Sequence, residues 1–161
     1  MILYGNRDRI KEKYHKKKGL PEDAKIMMFA PTFREGSTDG KRYVYSESWS
    51  VDFARLIKNL EKKFGGKWYL CFRVHPHLAP SFNDYNNSEI EGRIINESQA
   101  DDLYSIMAAM DAYITDYSSA CFEAGFARMP VFIYADDIDQ YRCDRGELFW
   151  NISENTKKGI N

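Results

Sequence analysis

The stretch AYITDYSSACFE, residues 112–123, decides the fold of this chain. Its first four residues predict a short buried strand, because they form an apolar run bounded by polar residues. Small hydroxyl residues follow, and the pattern then predicts a helix over residues 118–128. A buried strand that leads through a short polar turn into a helix is the repeating unit of α/β proteins.

The same unit recurs on both sides of this stretch. The sequence predicts strands over residues 26–30, 68–74, 93–95 and 131–134, and helices over residues 51–64 and 101–110. Apolar strands that alternate with helices indicate an α/β fold, a doubly wound parallel sheet of about five to six strands with helices on both faces. The remaining segments, including polar residues 32–48 and acidic residues 136–139, are expected to be solvated loops.

The chain divides into three parts by composition. Residues 1–24 are polar and basic and are expected to form an interdomain linker or helix outside the core. Residues 25–150 are expected to form one Rossmann-like domain, and residues 151–161 a polar tail. A chain that begins and ends in this way is expected to be a piece of something longer.

Composition and charge exclude several classes of protein. The formal net charge of −1 argues against a nucleic-acid binder, which needs a basic surplus. The three cysteines are far apart and odd in number: Cys71, Cys121 and Cys143. This argues against a disulfide framework and favours a protein of the reducing cytoplasm. No apolar run approaches the ~18 residues that a membrane span needs. The basic run at residues 16–18 is expected to be a solvated face, or else a contact with anionic lipid headgroups.

Polar clusters follow three of the predicted strands, at residues 31–34, 73–77 and 115–119. In open parallel sheets, ligands bind beyond the carboxyl ends of the strands. At the third cluster, Ser118 and Ser119 begin a helix, whose free N–H groups and dipole could hold a phosphate. The alternative is that Ser118 serves only as an N-cap. The glycine-rich run of a P-loop is absent.

The second cluster carries Arg73 and His75 on the face of the strand that also holds Cys71. Arginine suits bidentate phosphate contact, and His75 could act as an acid, a base or a phosphate donor. It could equally be a structural histidine beside Pro76. A metal site that uses Cys71, His75 and His77 is disfavoured, because no second cysteine or carboxylate cluster accompanies them. In the first cluster, Thr32 and Arg34 could contact phosphate or simply begin a loop.

These residues together resemble the CDP-glycerol glycerophosphotransferase family, which builds teichoic acids and related cell-surface polymers. The matching motifs occur in order, as GNRD (5–8), FAPTFR (29–34), RVHPH (73–77), DLY (102–104), ITDYSS (114–119) and YAD (134–136). The resemblance implies a GT-B architecture of two Rossmann-like domains, of which this chain is the C-terminal one that holds the nucleotide donor. It implies no cofactor and no metal, with CDP-glycerol as the donor substrate.

The resemblance also implies roles for individual residues. His75 would be a catalytic or phosphate-contacting histidine supported by Arg73, and Glu123 would reach the ribose. The donor phosphates and nucleotide would be held by Thr32, Arg34, Thr115, Asp116, Ser118 and Ser119. An acceptor hydroxyl would attack the glycerol-bearing phosphate and release CMP.

The partners implied are a nucleotide-activated small molecule and a lipid-linked polymer, the latter through an N-terminal domain that this chain lacks, with no nucleic acid. The expected location is the cytoplasm, at the inner face of the membrane, and the chain alone is expected to bind donor without turnover. Two alternatives stay open. One is the donor domain of a nucleotide-sugar glycosyltransferase or epimerase, and the other is a non-catalytic α/β binding module.

Overall fold

The computed structural model describes residues 6–32, 35–38, 41–44, 51–74, 88–100 and 102–148. The strands are β1 Lys25–Phe29, β2 Glu35–Thr38, β3 Lys41–Val44, β4 Trp68–Phe72, β5 Ile94–Asn96, β6 Ala112–Thr115 and β7 Val131–Ile133. The helices are α1 Arg7–Lys18, α2 Phe53–Phe64, α3 Leu103–Met107, α4 Ala120–Phe126 and α5 Ile138–Arg145, and a 3₁₀ turn covers Ser88–Ile90.

The main sheet has five strands in the order β5-β4-β1-β6-β7. Every neighbouring pair in it is parallel. From β1 the chain builds outward through β4 and β5, and it then crosses back to add β6 and β7 on the other side. The order therefore reverses between β1 and β6, which is the switch point where doubly wound sheets bind ligands. The predicted fold class is confirmed.

Each face of the sheet has its own apolar layer. On one face α2 packs through Ile57 and Leu60 against Leu70 and Phe72. On the other face α1, α3 and α4 cover a layer that includes Met28, Cys71 and Tyr113. Residues 70–74 of β4 and its exit alternate between the two layers as the strand period requires. Helices therefore lie on both faces, as predicted.

Three aromatic rings fix α2 above the centre of the sheet. Phe53 at the start of α2 lies 5.2 Å from Phe29 and 4.9 Å from Phe72, both edge to face. Asp52 caps the helix by accepting a hydrogen bond from the Arg55 N–H at 2.9 Å. Gly65 ends it with a φ of +64°, a left-handed conformation that glycine adopts without strain.

The expectation that the first residues lie outside the core is wrong for α1. Tyr14 and His15 are buried, and the Tyr14 hydroxyl donates a hydrogen bond of 2.9 Å to Glu97 Oε1. At the start of the helix, the Arg7 guanidinium donates to three backbone carbonyls, those of Ala108, Met110 and Ala127. Single buried side chains on an otherwise charged helix are enough to dock it, and a charge-based interpretation misses them.

Two segments that were predicted as loops form regular structure. Strands β2 and β3 pair antiparallel, with Glu35 opposite Val44 and Thr38 opposite Lys41. The sequence between them is Asp39-Gly40, which is typical of two-residue hairpin turns. The acidic run leads into α5. Tyr141 of this helix stacks on Tyr117, with 3.9 Å between the ring centroids, and this contact holds the helix in place. A tertiary contact of this kind leaves no periodic signal in a polar segment. The predicted tail, residues 151–161, lies outside the described residues.

Candidate functional site

The switch point is closed by hydrogen bonds between the exits of β1 and β6. The Ala30 N–H donates to the Ile114 carbonyl at 3.0 Å, and Thr115 Oγ1 donates to the Ala30 carbonyl at 2.6 Å. One step further on, the Thr32 N–H donates to Asp116 Oδ1 at 2.6 Å. The structure thus brings Thr32, Thr115 and Asp116 together.

Asp116 shapes this part of the site. Only 3% of its surface is exposed, and its Oδ1 accepts hydrogen bonds from the backbone N–H groups of Thr32 and Tyr117, both at 2.6 Å. One carboxylate therefore fixes the backbone at two strand exits at once. The buried hydroxyl of Thr115 also joins β6 to the exit of β1, because it donates to the Ala30 carbonyl. These contacts make both residues part of the frame of the crevice, and a direct contact with a donor stays a prediction.

The two serines before α4 differ in their contacts. The helix begins at Ala120, so Ser119 occupies the N-cap position, yet its side chain makes no capping hydrogen bond. The Ser119 side chain is exposed. Ser118 is half-buried, and its Oγ accepts a hydrogen bond from the Ala120 N–H at 3.3 Å. Ser118, and not Ser119, therefore bonds to the backbone at the start of α4. Ser119 is exposed at the carboxyl edge of the sheet.

Glu123 lies in the first turn of α4, one turn beyond the serines. Its side chain is half-buried, and no described residue donates a hydrogen bond to its buried Oε2. A negative charge in the first turn is favourable to the helix dipole. The structure thus places Glu123 beside the serine pair, and its contact with a ribose stays a prediction.

At the exit of β4, Arg73 is bound to the turn that follows β5. Its Nη1 donates to the Ser98 carbonyl at 2.7 Å and its Nη2 to the Ala100 carbonyl at 2.6 Å. The Val74 N–H donates to Ser98 Oγ at 3.1 Å, and Ser98 is completely buried. Sequence reasoning missed Ser98, because a serine in a short polar turn carries no signal of its own. Both terminal nitrogens of Arg73, predicted as a phosphate contact, already hold backbone carbonyls.

His75, His77 and Arg34 lie outside the described residues. Their predicted roles in catalysis and phosphate binding stay predictions. In the chain, His75 follows the buried Val74 directly, and Arg34 follows Thr32 by two residues.

Residues 3–154 match the sequence model of a family described as CDP-Glycerol:Poly(glycerophosphate) glycerophosphotransferase. The chain belongs to this family. The glycerophosphotransferase match covers nearly the whole chain, from α1 through α5, and so includes all three strand exits. The resemblance that the ordered motifs indicated is confirmed.

Individual relatives agree with this assignment. The teichoic acid poly(glycerol phosphate) polymerase of Staphylococcus epidermidis is 33% identical over 84% of this chain and 18% of that protein. The teichoic acid poly(ribitol-phosphate) polymerase of Bacillus spizizenii is 28% identical over 82% of this chain and 20% of that protein. The chain therefore spans about a fifth of the length of these two polymerases.

A solved structure has the same fold. The wall teichoic acid polymerase TagF superposes with a TM-score of 0.64 at 30% identity, over 94% of this chain and 35% of that one. A TagF variant soaked with CDPG superposes with a TM-score of 0.62 at 26% identity, over 92% of this chain and 31% of that one.

Burial sets the protonation of several groups in this glycerophosphotransferase domain. Burial raises the pKa of the Tyr113 hydroxyl, on the strand that leads to the serine pair, to about 12. Burial also raises the pKa of the Cys71 thiol to about 12. Because its pKa is raised, the Cys71 thiol is protonated at neutral pH, and the thiolate is the form that binds metal.

The part of the chain that the structure describes has no helix long and apolar enough to cross a membrane.

Proposed function

We propose that this chain is the donor-binding domain of a transferase that moves glycerol phosphate from CDP-glycerol to a teichoic-acid-like cell-surface polymer, with release of CMP. The observation that carries the proposal is the family match over residues 3–154, which includes the polar exits of β1, β4 and β6. Those exits lie on adjacent strands in the centre of the sheet.

The geometry of the switch point supports a phosphate-containing ligand. The hydroxyl of Ser119 is exposed and makes no capping hydrogen bond, so it is available as a donor to a phosphate oxygen. Asp116 and Thr115 hold the two strand exits rigidly, which preorganises the crevice before a ligand arrives. In this proposal Thr32, Ser118 and Ser119 face the pyrophosphate, Arg34 completes the phosphate contacts, and Glu123 contacts the ribose.

The reaction follows from the chemistry of the donor. The oxygen of an acceptor hydroxyl attacks the glycerol-bearing phosphorus, and the bond from that phosphorus to the CMP oxygen breaks. His75 would take the acceptor proton or contact the transferred phosphate. Such a transfer depends mainly on positioning and on stabilisation of charge, so the domain contributes by holding the donor in place. No cofactor is required.

The alditol of the donor is decided by experiment between two candidates. Relatives named for glycerol phosphate and for ribitol phosphate match this chain at similar identity, 33% and 28%, so CDP-ribitol is tested beside CDP-glycerol. The lipid-linked acceptor and a location at the inner membrane face are also proposals. Three lysines of α1 each form an ion pair with a carboxylate: Lys11, Lys16 and Lys18. Two of them belong to the basic run at residues 16–18, so fewer of its charges are available to lipid headgroups.

The direct test is CMP release by the full-length protein, supplied with CDP-glycerol, CDP-ribitol or UDP-glucose and a glycerol-phosphate polymer acceptor. We expect release from a CDP-alditol, and loss of that release in His75→Ala. Ser105→Ala is the control, since Ser105 lies in the first turn of a different helix and its hydroxyl donates to the carbonyl of the N-cap residue Asp102. Preference for UDP-glucose would favour a glycosyltransferase. Full activity in both His75→Ala and Ser119→Ala would favour a binding module.

A further inference from the structure

We propose that Ser98 is a positioning residue for the transfer, and that together with Arg73 it fixes the backbone that leads into His75. The inference rests on the proposed function and adds to it a residue that does not touch the donor. It follows from the way the structure continues beyond the end of the β4–β5 ladder.

The ladder between β4 and β5 ends where Phe72 pairs with Asn96. The next backbone bond runs from the Glu97 N–H to the Phe72 carbonyl at 2.8 Å, and residues 97–100 then turn, closed by the Ala100 N–H on the Glu97 carbonyl at 3.0 Å. Strand pairing therefore stops three residues before His75. Without other contacts, the backbone between Phe72 and His75 would be unsupported on this side.

Two side chains replace the missing ladder. Ser98 Oγ accepts the hydrogen bond of the Val74 N–H at 3.1 Å. The Arg73 guanidinium spans the turn, with one nitrogen on the Ser98 carbonyl at 2.7 Å and the other on the Ala100 carbonyl at 2.6 Å. The fork of arginine is rigid and planar, so two parallel bonds fix direction as well as distance.

Burial makes these contacts strong constraints. Ser98 is 0% exposed and Val74 is 2% exposed, so water cannot replace the hydroxyl as the partner of the Val74 N–H. A buried N–H without an acceptor is unfavourable, and the backbone would have to shift to recover one. The peptide that shifts is the one that joins Arg73 to Val74, directly before His75 in the chain.

The turn itself is held from its far side. Glu97 accepts a hydrogen bond of 2.9 Å from the Tyr14 hydroxyl and forms an ion pair of 2.6 Å with Lys18. The Ser98 N–H donates to Asn96 Oδ1 at 3.0 Å. The 97–100 turn is thus fixed to α1 and to β5, and it can act as a rigid support for the exit of β4.

The expected kinetic effect is on turnover more than on donor binding. The pyrophosphate contacts proposed for Thr32, Ser118 and Ser119 come from the exits of β1 and β6, whereas His75 lies beyond Val74 on the β4 exit. Displacement of a catalytic group by about 1 Å can cost on the order of 100-fold in rate. Ser98→Ala should therefore lower kcat by about 10- to 100-fold and change the KM for CDP-glycerol by less than about twofold.

The experiment measures CMP release and thermal unfolding for the full-length wild type, Ser98→Ala and Asp111→Ala. Asp111 is the matched control, because its Oδ2 also accepts a hydrogen bond from a backbone N–H, that of Ile26 at 2.8 Å, but at the amino edge of the same sheet. Asp111→Ala should lower stability and leave kcat unchanged. A loss of kcat in both variants would show a general effect of destabilisation and would overturn the proposal.

A second variant covers the case in which Ser98→Ala does not fold. Arg73→Lys keeps the charge but lacks the planar fork whose two separate nitrogens hold the Ser98 and Ala100 carbonyls, so it should lower kcat with little change in KM. Wild-type kcat in either variant would overturn the positioning role alone. A wild type that releases no CMP from any CDP-alditol would instead refute the proposed function, and the positioning role with it.

Discussion

Substitution of Ser119 by alanine separates the two interpretations of the serine pair. If Ser119 is only a helix cap, its removal should cost about 1 kcal/mol of stability, the usual value for a capping serine. The structure shows no capping hydrogen bond from its side chain, which is exposed. We therefore expect Ser119→Ala to change the free energy of unfolding by less than about 0.5 kcal/mol.

The same substitution should weaken donor binding. A hydrogen bond to a charged group contributes about 1.5–3 kcal/mol, and each 1.4 kcal/mol is tenfold in affinity. Loss of one hydroxyl donor to a phosphate oxygen should thus raise the Kd for CDP-glycerol by roughly 10- to 150-fold. Among the described residues the Ser119 side chain has no hydrogen-bond partner, so its removal should act almost entirely on the complex.

The assay combines urea unfolding with calorimetric titration of CDP-glycerol into the full-length protein. Ser105→Ala is the control, since Ser105 is also an exposed serine near a helix start, and its hydroxyl donates to the Asp102 carbonyl at 3.2 Å. The control should bind the donor like the wild type. Unchanged affinity in Ser119→Ala, or a stability loss near that of an ordinary cap, would refute the reasoning.

Three further predictions concern the frame of the site, the thiols and one helix cap. Asp116→Ala removes the acceptor of two partly buried backbone N–H groups and should lower the free energy of unfolding by about 2–4 kcal/mol, whereas Asp116→Asn keeps an acceptor and should lose clearly less. Equal losses in urea unfolding would argue against this frame. At about pH 8 a thiol reagent should modify exposed Cys143 quickly and spare Cys71 and Cys121. Burial raises the pKa of both buried thiols, and the thiolate is the reactive form. Fast labelling of Cys71, located by mass spectrometry, would contradict its burial. Hydrogen bonds from backbone N–H groups hold the pKa of Asp102 below its ordinary value of 3.8, so its stabilising effect is complete above that pH and is lost as the pH falls through the lowered folded-state pKa. The difference in Tm between wild type and Asp102→Ala should therefore shrink in strong acid, and a difference independent of pH would count against the cap.

The parts of the fold that the sequence predicted are those in which local pattern and burial agree. Strand β6 was predicted at its observed bounds, Ala112–Thr115, because a fully buried parallel strand is a nearly continuous apolar run. The end of α2 at Phe64 was also predicted, from the apolar period of the helix and from the glycine that follows it. The polar clusters at the strand exits were predicted to lie at one edge of the sheet, because parallel strands share a carboxyl edge.

The parts that sequence reasoning missed depend on contacts between distant residues. Helix α5 carries few apolar residues and is held by the stacking of Tyr141 on Tyr117, which no local window shows. The docking of α1 depends on the buried Tyr14 within a highly charged segment. Arg73 was predicted to contact phosphate because its position at a strand exit is visible, whereas its partners, the carbonyls of a turn 25–27 residues away, are not.

The central claim is that the crevice between β1 and β6 holds a CDP-alditol, and calorimetric titration of the full-length protein tests it most directly. CDP-glycerol, CDP-ribitol and UDP-glucose would be titrated separately into the wild type and into Ser119→Ala. We predict saturable binding of a CDP-alditol, weakened by the substitution, and no comparable binding of UDP-glucose. Preferential binding of UDP-glucose, or binding of CDP-alditols that Ser119→Ala leaves unchanged, would contradict it.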